Sequence, residues 1–208
     1  MSNEHRSGNR QKHESQNPIQ RALIDHFHRA AVEMIARARP RSILDLGCGE
    51  GFALQALLDA GVDAELTGID LSRGAIDFAR ERLGDRVTLE CADARDLAAD
   101  GRRFDMVMML EVLEHIPEPR RMLPILERLT RRHVLLSVPW EPFFCGLNLA
   151  RLKNVRRLGN DPEHVNHWTR QGFIDFVGRR FRVDATPRVF PWSMVLAERL
   201  GAPEADPR

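Results

Sequence analysis

From residue 42 to residue 138, short apolar runs alternate with segments whose apolar positions recur every three or four residues. Ser42–Leu46, Glu65–Ile69, Val87–Cys91, Phe104–Leu110 and His133–Val138 are the runs, with the length and unbroken apolar character of strands buried on both faces. Phe52–Ala60, Arg73–Leu83 and Pro119–Leu129 carry helical spacing, and Gly61 and Gly84 stand as stops behind the first two. Upstream, from Pro18 to about Arg39, Ile19, Leu23, Phe27, Ala30, Ala31, Met34 and Ile35 recur at helical spacing, and Pro40 closes that helix. Downstream, Thr169 is placed to cap a helix with Phe173, Phe176 and Val177 on its apolar face. Two last strand-like runs, Phe181–Ala185 and Arg188–Leu196, lie close enough to form an antiparallel edge pair. Repeated strand–helix units predict an α/β fold with a doubly wound, mostly parallel sheet and helices on both faces.

Length and charge narrow this picture. A chain of 208 residues can bury one full core. Residues 1–16 are polar and are expected to form a flexible tail, 17–200 a single domain and 201–208 a loose end. Within the domain, residues 17–39 form either a lid or an ordinary packed helix, and 139–168 an insertion. The formal charge of +1 supplies no global field toward nucleic acid or membrane, so any basic site must be local. Cys48, Cys91 and Cys145 are scattered and odd in number, which suits a reducing cytoplasm better than a disulfide framework. No run is apolar enough to span a bilayer, and the N-terminal residues lack a signal-peptide core.

The strongest local signal is "ILDLGCGEG", Ile43 to Gly51, in which a strand runs through Asp45 into a turn with Gly47, Cys48, Gly49 and Gly51. Glycines there allow tight backbone angles and close approach of a ligand to the main chain. The spacing is G-x-G-x-G rather than the dinucleotide spacing G-x-G-x-x-G, and Asp45 would repel a pyrophosphate. About twenty residues on, "GID" ends the second strand with Asp70, where a carboxylate can accept from ribose hydroxyls. The third strand ends in "CADARDL", whose Asp93 could accept from an adenine amino group between Ala92 and Ala94. Together "LDLGCGEG", "GID", "ADARDL" and "FDMVMMLEVLEH" resemble the class I S-adenosylmethionine-dependent methyltransferases over about residues 40–140. The resemblance implies a Rossmann-like, seven-stranded sheet with a reversed final strand. It implies S-adenosyl-L-methionine as cofactor, with Asp45 and the Gly47–Gly51 turn beside the methionine, Asp70 on the ribose and Asp93 on the adenine. Leu71, Leu110 and Glu111 complete the expected cofactor set. A sulfonium and an ammonium explain why carboxylates are welcome there.

"EVLEH", Glu111 to His115, crowds two carboxylates and an imidazole against the end of the fourth strand. The loops after strands four and five should open into one cleft, and "DPEHVNHWT" can bring His164 and His167 back over Glu111, Glu114 and His115. Such a mixed N/O set suits Mn²⁺, Fe²⁺, Co²⁺ or Zn²⁺ better than Mg²⁺. "EVLEH" followed by a histidine four residues before a tryptophan is similar to the metal-dependent small-RNA 3′-end 2′-O-methyltransferases, which implies Glu111, Glu114, His115 and His164 as ligands. "EVLEHIP" also resembles the ubiquinone-biosynthesis O-methyltransferases, which act on catechols. In both, a metal would hold two adjacent acceptor hydroxyls and acidify the attacking one. The metal-free alternative makes His115, His164 or His167 the general base.

The segment "WEPFFCGLNLARLKNVRRLGND" offers an apolar wall from Trp140, Phe143 and Phe144, then Arg151, Lys153, Arg156 and Arg157. These cations either meet an anionic acceptor group or face water along an amphipathic helix. The reading that follows is methyl transfer to a hydroxyl of a small molecule such as a catechol, a sugar or a natural product. An RNA 3′-terminal ribose 2′-O-methyltransferase and a non-catalytic cofactor-binding module are the alternatives. No membrane partner is expected, and the sequence leaves the oligomeric state open.

Overall fold

The computed structural model describes residues 17–141 and 165–201. The first helix, α1 (Pro18–Ala38), starts where the Asn17 side chain accepts from the amides of Ile19 and Gln20. The alternation follows as β1 (Ser42–Leu46), α2 (Phe52–Asp59), β2 (Glu65–Asp70), α3 (Arg73–Leu83), β3 (Thr88–Cys91), α4 (Ala94–Ala99) and β4 (Phe104–Leu110). After a 3₁₀ turn at Leu113–His115 come α5 (Met122–Leu129), β5 (Thr130–Pro139), α6 (Arg170–Val177), β6 (Phe181–Ala185), β7 (Arg188–Val189) and β8 (Trp192–Arg199). Among the described residues the strands form one sheet in the order β3-β2-β1-β4-β5-β8-β6, with β7 paired to β8. The pairs from β3 to β5 are parallel, and β8 runs antiparallel to β5 and β6.

The two-residue period of a strand sorts its side chains onto two faces. Leu44, Val107, Met109, Val134, Leu136, Val195 and Ala197 face one apolar layer, capped by Leu97 of α4, Leu123 and Leu126 of α5, and Phe173 and Phe176 of α6. Their sequence neighbours Ile43, Met106, Met108, Leu135, Met194 and Leu196 face the other, under Phe27 and Ile35 of α1, Leu54 and Leu57 of α2, and Ile76 and Leu83 of α3. Continuous apolar runs are therefore what this sheet requires.

The end of the chain departs from expectation in one way. The run Arg188–Leu196 is split: Pro191 has no amide to give the ladder, and a two-residue β7 precedes β8. This short strand adds to the seven expected. The expected antiparallel pair does form at this end of the sheet, between β6 and β8, with β8 inside against β5 and β6 outermost. The reason is burial, since Ser193–Ala197 is covered on both faces, whereas β6 carries the exposed Arg182 and suits an edge. The helix α4 was also not foreseen; it is short, and Asp93 caps it.

Thr169 caps α6 as expected, its hydroxyl accepting from the Gly172 amide at 3.1 Å. Thr169→Ala is expected to cost about 1 kcal/mol, read as a lower midpoint in urea unfolding. An unchanged midpoint would show that Phe173 and Phe176 hold the helix without its cap.

Candidate functional site

The parallel strands β1 to β5 present their carboxyl ends on one edge of the sheet, where ligands of open α/β sheets bind. At the first edge the chain leaves β1 through Gly47, Gly49 and Gly51, with φ of 79°, 52° and 77°. The Gly47 and Cys48 amides donate to the Ile69 carbonyl at 2.8 and 3.0 Å, tying the turn to the end of β2. A Cβ on Gly47 would lie 2.7 Å from Cγ2 of Val112, so this turn is pressed against the loop after β4. Gly68, in register with Asp45, matters for a similar reason: a Cβ there would lie 2.9 Å from the Cys48 sulfur. The sequence reading did not single it out.

Two acids dominate the electrostatics. Asp70 at the end of β2 accepts from the Gly49 amide on one oxygen (2.9 Å) and from the Ser72 amide on the other (2.8 Å). Its carboxylate is thereby fixed in orientation, with lone pairs left over for a further donor. Asp45 is 2% exposed, and its Oδ2 has no hydrogen-bond partner among the described residues. Burial, then the nearby Asp70 charge, pushes the Asp45 carboxyl up to about 8. A buried carboxyl in that condition lacks a cation. The same surroundings push the Cys48 thiol up, burial first, which argues against a thiolate role. Glu50 is buried at this turn and was likewise not singled out from the sequence.

At the third edge Asp93 caps α4 through the Arg95 amide, and the Arg95 guanidinium pairs with its carboxylate at 2.6 Å. That contact holds the Asp93 carboxyl below the usual range. Arg95 was not anticipated, and it occupies the acid expected for an adenine amine. Ala92 is half-buried, Ala94 is buried, and Leu71 is exposed beside them.

At the fourth edge Leu110 is half-buried, and Glu111 adopts a left-handed backbone, φ 59°. For a residue with a side chain this conformation is strained and is held by its surroundings. Here Ser137 of β5 does the holding: its hydroxyl donates to Glu111 Oε1 at 3.0 Å, while the Glu111 amide donates to the Ser137 carbonyl at 3.2 Å. Glu114 is buried, and His115 Nε2 lies 3.9 Å from its Oε1. The downstream segment does fold back onto this turn. The Val165 and Asn166 amides donate to the Glu114 carbonyl, and the Asn166 side chain donates to the carbonyls of Leu113 and Ile116. His167 lies 3.8 Å from Glu141, at the end of β5.

Among the described residues no three His, Cys, Asp or Glu side chains form a cluster able to hold an ion. Glu111, Glu114 and His115 form no such cluster among the described residues, and one Glu111 oxygen accepts from Ser137. His164, the fourth expected ligand and a candidate base, lies outside the described residues, as do Phe143, Phe144, Arg151, Lys153, Arg156 and Arg157. No described helix is long and apolar enough to cross a membrane.

Residues 43–133 match a family model described as a methyltransferase domain. A ubiquinone biosynthesis O-methyltransferase of Coxiella burnetii is 34% identical over 104 residues, covering 49% of this chain and 44% of that protein. One of the same name from Alkalilimnicola ehrlichii is 38% identical over 148 residues, 63% of this chain and 59% of that protein. The chain thus spans about half the length of the curated relatives it matches. Among solved structures, a magnesium protoporphyrin IX methyltransferase from Synechocystis PCC 6803 with bound SAH superposes with a TM-score of 0.67. It is 21% identical, and the match covers 91% of this chain and 92% of that one, a likeness of fold.

Proposed function

We propose that this chain, a class I S-adenosylmethionine-dependent methyltransferase, methylates a hydroxyl oxygen of a small molecule. The observation that carries the proposal is Asp45, a buried carboxyl with an unpartnered oxygen beneath a left-handed glycine turn. A cationic amino-acid ligand would supply what that carboxyl lacks. The cofactor, when bound, supplies an electrophilic methyl on a sulfonium. The residues proposed to hold it are Asp45 and the Gly47, Cys48, Gly49 and Gly51 turn at its methionine part, and Asp70 with Leu71 at its ribose. Ala92, Asp93 and Ala94 would take the adenine once Arg95 gives way, and Leu110 and Glu111 would close the floor.

Oxygen as the methyl acceptor is supported by the names of the curated relatives. At the acceptor end, the proposed base is an imidazole, which removes the hydroxyl proton as the oxygen attacks. His115 stands on the turn after β4, and His167 stands beside Glu141, whose carboxylate can steady its orientation. Ser137 holds Glu111 at the strand end, which keeps the turn carrying His115 in place. Bringing both reactants onto one rigid sheet edge supplies much of the acceleration.

The test is calorimetric binding of S-adenosylmethionine, followed by methyl release against a panel of catechols, sugars and hydroxylated acids. His115→Gln or His167→Gln is expected to lower turnover roughly 100-fold, with cofactor affinity unchanged. Turnover is expected to survive chelation. Absence of cofactor binding would sink the proposal, and turnover abolished by chelator and restored by Mn²⁺ would replace its mechanism.

A further inference from the structure

Beside the EVLEH turn lies a second concavity, of about 460 Å³, bounded by the loop before α5 and by residues 166–179. Its size is that of a small-molecule site. Arg120 and Arg121 line it from the loop, and Arg179 lines it from beyond α6. Glu118 is the carboxylate among its lining residues. It pairs with Arg121 at 3.2 Å and so offsets that one cation, leaving the charges of Arg120 and Arg179. Arg120 and Arg179 have no ion-pair partner among the described residues. A protein whose whole charge is +1 thus gathers three guanidiniums around one hollow.

The lining also has an apolar side. Trp168 packs on Phe173 and Phe176, with ring centroids 5.7 and 4.8 Å away. Its indole Nε1 is buried and has no hydrogen-bond acceptor among the described residues. A buried N–H without an acceptor is unfavourable. Asn166, which also lines the hollow, donates to the carbonyls of Leu113 and Ile116 and so joins it to the turn that carries His115.

We propose that this hollow binds an anionic group of the acceptor, a carboxylate or a phosphate ester, through Arg120 and Arg179, and so fixes which hydroxyl reaches the methyl. The assignment rests on the methyltransferase reading for its purpose, but not for the binding itself. Guanidiniums match both anions by paired hydrogen bonds. A single concave site, rather than a basic stripe, fits a small molecule better than a nucleic-acid strand.

Inorganic phosphate, benzoate and uncharged benzyl alcohol would each be titrated into the full chain without cofactor, by calorimetry and by indole NMR shifts. The same series would be run on Arg120→Gln/Arg179→Gln. Saturation by an anion but not by benzyl alcohol is expected, weakened roughly tenfold or more in the double variant. Benzoate alone points to a carboxylate acceptor, phosphate alone to a phosphate ester, and both to a site for either. S-adenosylmethionine affinity is measured in parallel and should not change. Loss of cofactor binding in the wild type would count against the methyltransferase reading while leaving the anion result to stand. The inference is overturned if neither anion saturates, or if the double variant binds as well as the wild type. Tighter binding of a short single-stranded RNA, lost in that variant, would also overturn it.

Discussion

Asp45→Asn is expected to weaken S-adenosylmethionine binding on the order of 100-fold, because it removes one partner from a desolvated charge pair. The substitution keeps shape and volume, so the effect reads charge rather than packing. The wild type should show a linked proton. Folded and unliganded, Asp45 keeps its proton up to about pH 8, whereas an ordinary carboxyl loses it near 3.8. A cationic ligand favours the ionised form, so binding at pH 7 should release close to one proton. Affinity should then rise with pH, by up to about tenfold per unit, and level off above the folded value. Calorimetry in buffers of different ionisation enthalpy measures that proton directly. The stability of the unliganded protein carries the same signature with the opposite sense. Below about pH 4 both states hold the proton, and between there and about pH 8 the native state alone holds it, so stability falls as pH rises. Asp45→Asn should lack that fall and be the more thermostable protein at pH 8. Proton release equal in wild type and variant would show that Asp45 does not face the cofactor.

Gly47→Val is expected to be the most damaging change at the turn. Valine is stiff and branched, and φ at this position is 79°. Its Cβ would stand 2.7 Å from Val112, a buttress that belongs to the loop carrying Glu111 and His115. The variant should lose about 3 kcal/mol in urea unfolding and show no measurable cofactor binding. Gly61→Ala provides the comparison, because φ there is also positive, 67°, but no heavy atom lies within 4 Å of an added Cβ. A mild effect at Gly61 beside a severe one at Gly47 would separate crowding from backbone strain. Equal effects would mean that the contact with Val112 is not what matters.

How much of the site was legible depended on how local each feature is. The glycine turn, Asp45 and Asp70 stand within motifs whose spacing encodes their place at strand ends, and the structure puts both acids at that edge of the sheet. Asp93 was legible as a residue, but its pairing with Arg95 was not, since two residues of separation leave that side chain free to point elsewhere. Gly68 was missed because a lone glycine in a strand carries no signal until Leu54, Cys48 and Leu89 are seen closing on it. Arg120, Arg121 and Arg179, which line the second hollow, carried no signal in the sequence, while Arg151, Lys153, Arg156 and Arg157, the cations it offered for an acceptor, lie outside the described residues.

Local chemistry written along the chain, namely apolar period, caps, stops and glycine spacing, was enough to determine the strand–helix alternation, the two-faced core and the carboxylates at the strand ends. Each of these depends on interactions within a few residues. Only the folded chain decided that β8 slides between β5 and β6, that Ser137 constrains Glu111, and that Asn166 clamps the turn bearing His115. Those contacts join segments far apart in sequence, and the balance of burial and hydrogen bonding that selects them exists only once the sheet has formed.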